Sequence, residues 1–121
     1  MKLLLSTASP GLNGALDPRF GRCTYFTMVD TESMASSDAP NPALSASGGA
    51  GVQAAQFATL QGCQAVVSGD FGPNAFDALA AAGIEMYKYG DCSTIQEVVQ
   101  RYKNGQLEKV SGPGHTGKHG R

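Results

Sequence analysis

The stretch that decides the fold is QAVVSGDFGPNAFDALAAAGIEMYK, residues 64–88. Gln64 to Ser68 is a short apolar run bounded by glycines, the form of a buried strand. Pro73 stands where a first helical residue belongs, and Gly83 stands just past a helix end. Between them Phe76, Leu79 and Ala80 mark a face to bury. Ile84 to Lys88 then alternates as a second strand. Strand, helix and strand within 25 residues make a parallel crossover, so the fold is α/β.

The neighbouring segments extend this pattern in both directions. Upstream, Ala50, Ala54, Phe57 and Leu60 lie at helical spacing within Gly49–Gln61, and Gly62 ends that helix. Downstream, Thr94 with Glu97 has the spacing of a capping box, and Ser93 with Gln96 offers the same one residue earlier. Ile95, Val98, Val99 and Tyr102 supply the apolar stripe and Gly105 the stop. Leu107 to Val110 reads as an edge strand. Near the start, Lys2 to Ser6 is a strand covered on both faces. Tyr25 to Asp30 is a second strand, and a weaker third is expected at Ser33 to Ser37. Loops are expected at Thr7 to Arg22 and Asp38 to Gly48. The order β-β-β-α-β-α-β-α gives a single-domain, ribonuclease H-like arrangement. Its five-stranded mixed sheet has order 3-2-1-4-5 and helices on both faces. Residues 1–110 form the domain and 111–121, with His115 and His119, a flexible tail.

Composition excludes several classes. The chain has 121 residues, 41% apolar and 16% charged, with net charge −1. There is no bulk attraction for nucleic acid and no apolar run of membrane-spanning length, which requires roughly 20 residues. The opening MKLLLSTASPG reads as a strand rather than a secretory signal, so a cytoplasmic location is expected. Cys23, Cys63 and Cys92 form no CxxC pair and no disulfide framework. A two-metal nuclease needs acids beginning on the first strand, but KLLLS has none, and Asp70, Asp77 and Asp91 are scattered. No Ser/His/Asp or Cys/His set is visible, so no enzyme is expected.

In this topology the loop after strand one and the helix starts at Gly48–Gly51, Gly72–Asn74 and Cys92–Thr94 meet at the carboxyl edge of the sheet, where open α/β sheets bind ligands. Helix N-termini suit anions. Arg19 and Arg22 would bring charge. Gly21, Gly49, Gly51, Gly69 and Gly72 would allow backbone approach, with Asn74 beside them. Phe20 and Phe71 would form an apolar wall. Competing bland readings are solvated loop arginines, a turn cap at Asp17 and a core anchor at Phe20. SGGAG is neither a GxGxxG nor a GK[ST] motif. Cys63 reads as structural; Cys23 and Cys92 lie near the edge, either as small apolar residues or as thiols within reach of a soft metal.

RFGRCTYF, GGAGVQAA, SGDFGPNAFDALAAAGI and the early STAS loop together resemble the dinitrogenase iron–molybdenum cofactor biosynthesis family. The resemblance runs from about Met1 to Val110. It departs from the family pattern at Cys23, where a small residue is expected, and in the histidine-bearing tail. It implies a ribonuclease H-like protein that carries an anionic metal–sulfur cluster. The chain looks closest to the small stand-alone members, one of which holds a molybdenum–copper sulfide cluster without cysteine ligation, and the resemblance implies such a cluster here. The implied partners are the cluster and a protein that delivers or receives it. A metal-free interaction or regulatory module of the same fold is the alternative.

Overall fold

The computed structural model describes residues 1–44 and 48–111. Strand β1 (Lys2–Thr7) carries Leu3, Leu4 and Leu5, all fully buried, and such a strand needs cover on both faces. It is accordingly central in a sheet of order β3-β2-β1-β4-β5-β6. The others are β2 (Tyr25–Asp30), β3 (Ser36–Pro40), β4 (Ala65–Ser68), β5 (Glu85–Lys88) and β6 (Glu108–Lys109). β1 pairs antiparallel with β2 and parallel with β4, and β4 pairs parallel with β5. The two-residue β6 runs against β5, lies within the edge strand expected at Leu107 to Val110, and makes the five-stranded core sheet six-stranded.

Helices α1 (Ala50–Leu60) and α2 (Pro73–Ala81) cover one face, over Leu4, Phe26, Val66 and Met86. Helix α3 (Ile95–Lys103) covers the other, over Leu3, Leu5, Val29 and Val67. The capping box of α3 is present: Glu97 N donates to Thr94 Oγ1 and Thr94 N to Glu97 Oε1. The long loop wraps over the carboxyl edge. Leu12 and Leu16 pack against the α3-side core, while Phe20 and Cys23 enter the α1/α2-side core.

Three expectations need correction. The third strand begins at Ser36, not Ser33, and takes in Asp38 to Pro40, expected as loop. The Asp30 carboxylate accepts from the amides of Glu32 and Ser33, and Met34 is left-handed (φ 62°), so residues 31–35 are spent on the turn. The buried face of α1 is Ala50, Ala54, Ala55 and Ala58; Phe57 is half-buried and Leu60 is 83% exposed. The cause is close helix packing: a Cβ on Gly51 would be 3.1 Å from Ala75 Cβ, so small residues must line the α1–α2 contact. For the same reason α2 buries Ala75 with Leu79, while Phe76 is half-buried and Ala80 faces outward. The tail beyond Ser111, with His115 and His119, lies outside the described residues, as do residues 45–47 of the second expected loop.

Candidate functional site

A cleft of about 390 Å³ opens at the carboxyl edge between the loop, the start of α1 and the start of α2. Of the expected residues, Arg19, Phe20, Gly21, Arg22, Gly49, Gly51, Gly72 and Asn74 line it. Gly69 and Phe71 do not. Pro18, Ala50, Asp70, Pro73 and Ala75 complete the lining.

The two helix starts present donors. Gly49 is left-handed (φ 70°), and the first i to i−4 bond of α1 runs from Gln53 N to Gly49 O. The amides of Ala50, Gly51 and Val52 precede it and have no partner within the helix. In α2 the first such bond is Phe76 N to Gly72 O, leaving the amides of Asn74 and Ala75; Pro73 has no N–H to satisfy. Among the described residues no side chain caps either start, and neither first turn holds an acid. The third start does not join them. α3 lies on the opposite face, and Glu97 already accepts from its Ser93 and Thr94 amides. Two helix dipoles, not three, point at the cleft.

Two of the glycines, Gly69 and Gly21, have a packing role. A Cβ on Gly69 would lie 2.3 Å from Pro18 Cβ, and one on Gly21 would lie 3.2 Å from Gly51 N. Both positions let the loop backbone settle against neighbouring backbone. They shape the cleft by allowing its walls to approach. The aromatic pair is also inward. Phe20 borders the cleft but is only 2% exposed, and its ring packs 5.2 Å from Phe71 and 5.5 Å from Phe26. Phe71 is fully buried. These rings anchor the loop in the core.

The charges are more balanced than two arginines suggest. Asp17, its side chain 6% exposed, takes a forked ion pair from Arg19, with Nε at 3.1 Å and the terminal nitrogen at 3.0 Å. It also accepts from the Arg19 amide at 2.9 Å. Burial works to raise the Asp17 carboxyl, but the Arg19 hydrogen bonds and charge outweigh it and hold it below the usual value. Asp70 lines the cleft as well, its carboxylate accepting from Phe71 N. The formal charges of Arg19, Arg22, Asp17 and Asp70 cancel, so the helix starts supply the net positive potential.

Polar residues beneath the loop escaped sequence reasoning. Asn41, 4% exposed, donates through Nδ2 to Cys23 O (2.9 Å) and Gly21 O (3.2 Å), tying the segment before α1 to the loop. Ser6 Oγ donates to Asp17 O (2.6 Å), and Ser68 Oγ to Pro18 O (3.1 Å). The one available signal was polarity at the ends of apolar strands: KLLLS and AVVS both finish on serine.

The thiols are not arranged as ligands. Cys23 is fully buried, its Sγ 3.4 Å from Phe20 O, and burial pushes the thiol up to about 12. Cys63 is buried and pushed up to about 11 for the same reason. Cys92 is half-buried beside α3. Among the described residues no three His, Cys, Asp or Glu side chains cluster to hold a metal ion. Among the described residues the cleft presents amide donors that suit an anion and no side-chain coordination shell. Among the described residues no helix is long and apolar enough to cross a membrane.

Residues 1–105 match the model of the family described as dinitrogenase iron-molybdenum cofactor. A protein of Methanocaldococcus jannaschii with no assigned role is 30% identical over 109 residues, which is 88% of this chain and 92% of that one. The apo form of the orange protein from Desulfovibrio gigas is 38% identical, with a TM-score of 0.88, over 93% of this chain and 95% of that chain. A Thermotoga protein described as a NifB candidate of the DUF35 family is 28% identical, with a TM-score of 0.80, over 96% and 98% of the two chains.

Proposed function

Because the chain belongs to the dinitrogenase iron–molybdenum cofactor family, we propose that it is a non-catalytic carrier of an anionic metal–sulfur cluster. The cargo is a molybdenum–copper sulfide or a related molybdenum cluster, held non-covalently at the carboxyl edge of the sheet. One observation carries this reading: among the described residues, two helix starts with no side-chain cap and an arginine-bearing loop enclose one cleft with no ligating side-chain set. A preformed cluster whose metals are already saturated by sulfide needs N–H donors and charge at its periphery, not thiolates. Similarity to the apo form of the orange protein, a protein that has an unloaded form, supports the same reading. The carrier acts in the cytoplasm, where its cargo passes to or from a protein partner.

The test is anaerobic mixing of the chain with tetrathiomolybdate and copper(I), followed by metal and sulfide analysis and a visible spectrum. Uptake of molybdenum, copper and sulfide in fixed ratio, weakened in Arg22→Ala, is the expected result. A chain that stays colourless and metal-free after gel filtration refutes it. The second reading, a metal-free interaction module, has one observation in its favour. Leu60, 83% exposed, flanks an open groove with Pro42 and half-buried Phe57 on the outer side of α1. The same experiment separates the two.

A further inference from the structure

The carboxyl ends of the three parallel strands β1, β4 and β5 share one buried hydroxyl cluster, and all of it converges on the loop just before Arg19. Tyr89 follows β5 and is 5% exposed. Its ring packs in the α3-side core, and its hydroxyl reaches over the strand ends to donate to Ser6 O. Ser6 Oγ lies 3.2 Å from that hydroxyl and 2.8 Å from Ser68 Oγ. From this pair the bonds run outward. Ser6 Oγ donates to Asp17 O and Ser68 Oγ to Pro18 O. Backbone bonds close the same frame: Asp17 N to Ser6 O (3.0 Å), Asp70 N to Pro18 O (3.0 Å) and Tyr89 N to Ser68 O (2.9 Å).

We propose that Tyr89 is a positioning residue for the cleft: through Ser6 and Ser68 its hydroxyl sets the height of the Asp17–Arg19 segment above the helix starts. This rests on the carrier reading for the ligand, but the placement of Arg19 can be measured without one. The geometry favours positioning over simple filling of a core. An apolar cluster would cover the strand ends without the desolvation cost of three hydroxyls. Here Ser6 Oγ, which the Tyr89 hydroxyl meets, ends on the carbonyl of Asp17, and Ser68 Oγ beside it ends on that of Pro18, the two residues preceding Arg19. Asp17 then grips the Arg19 guanidinium from beneath. A shift of the Asp17 backbone thus moves the guanidinium with it. Burial also pushes the Tyr89 phenol well above its ordinary value, so the group stays a donor across the working pH range.

The experiment compares wild type with Tyr89→Phe, which keeps the ring and deletes the donor. Thr94→Ala on the opposite face serves as a control for stability loss alone. Nitrogen-15 spectra should show displaced Arg19 Nε and amide resonances in Tyr89→Phe. Exchange at the Asp17 and Asp70 amides should also be faster, and neither change should appear in Thr94→Ala. With tetrathiomolybdate and copper(I) as probe, the dissociation constant should rise about tenfold, as for groups that orient a ligand-holding side chain. In an Arg19→Ala background the same change should have little effect, because its route is gone. Unchanged Arg19 resonances, or an equal loss of affinity in both backgrounds, overturn the proposal. A wild type that takes up no probe overturns the cargo instead, and the resonance test still decides the positioning role. Should Tyr89→Phe fail to fold, Ser68→Ala removes the donor to Pro18 O, and unchanged Arg19 resonances there overturn the proposal equally.

Discussion

Replacing Gly69 with alanine puts the contact between loop and sheet to a direct test. The backbone of Gly69 is not in the left-handed region, so alanine meets no strain there. The cost is contact. The new Cβ would lie 2.3 Å from Pro18 Cβ and 2.6 Å from Pro18 Cα, about 1 Å or more inside the roughly 3.5–4.0 Å of a normal carbon contact. Pro18 is held in place, since its carbonyl accepts from Asp70 N at 3.0 Å and Ser68 Oγ at 3.1 Å. Relief requires the loop to rise by about 1 Å, which stretches both bonds past useful length. Overpacking costs about 1–3 kcal/mol and each weakened bond about 0.5–1.5 kcal/mol. Loss of unfolded-state freedom returns about 0.4–1 kcal/mol. The net expectation is a destabilisation of about 1–6 kcal/mol, centred near 3, or a melting temperature lower by roughly 12 °C at the centre of that range in a domain of this size. Urea unfolding followed by circular dichroism measures it. Gly48→Ala is the control: its Cβ would meet none of the described residues within 4 Å, so a change within about 0.5 kcal/mol is expected. A Gly69→Ala protein as stable as that control would refute the packing argument.

Other perturbations follow from the same geometry. The Asp17 carboxyl should titrate below its ordinary value of 3.8, as read by carbon-13 chemical shift. Because its folded pKa is depressed, its contribution to stability is complete above that value and lost as pH falls through the folded pKa, so the Arg19 fork should be intact at pH 5. A midpoint above 3.8 would contradict the ion pair. At pH 8 a thiol reagent should label Cys92 of the native protein, with Cys23 and Cys63 reacting only on unfolding, by mass mapping of the labelled peptides. Thr94→Ala should cost about 1 kcal/mol in urea unfolding by deleting the α3 cap, and leave uptake of the tetrathiomolybdate–copper probe unchanged.

Elements with strong periodicity or local punctuation were legible in the sequence. Pro73 and Gly83 bracket α2, and Thr94 with Glu97 opens α3, because caps and breakers act through adjacent backbone. Strand order followed from the alternation of elements. What escaped was set by tertiary contact. Leu60 looks like a core residue in its own helix, but Gly51 meeting Ala75 decides which side of α1 turns inward. The third strand was misplaced because an Asp30-centred turn consumed the residues that resembled it. At the cleft, residue types foretold the lining better than the roles. Arg19 was singled out, but its pairing with Asp17 depends on a carboxylate buried by a fold in the loop. Tyr89 gave no signal, since its partner Ser6 is 83 residues away.

The walls of the cleft come from 18–22, 49–51 and 70–75, three stretches that a growing or partly unfolded chain keeps apart. They meet only when β1 pairs with β4, as Leu3 does with Ala65. Pairings of such long separation close late, since loop entropy is lost before contacts repay it. The arginine loop is not set before that moment either, because Pro18 O accepts from Asp70 N and Ser68 Oγ and Phe20 packs on Phe71. Capture of a ligand there would therefore report completed folding. Whatever binds there selects finished molecules from the ensemble and stabilises them in proportion to its free concentration. A reactive cargo would meet no half-formed acceptor.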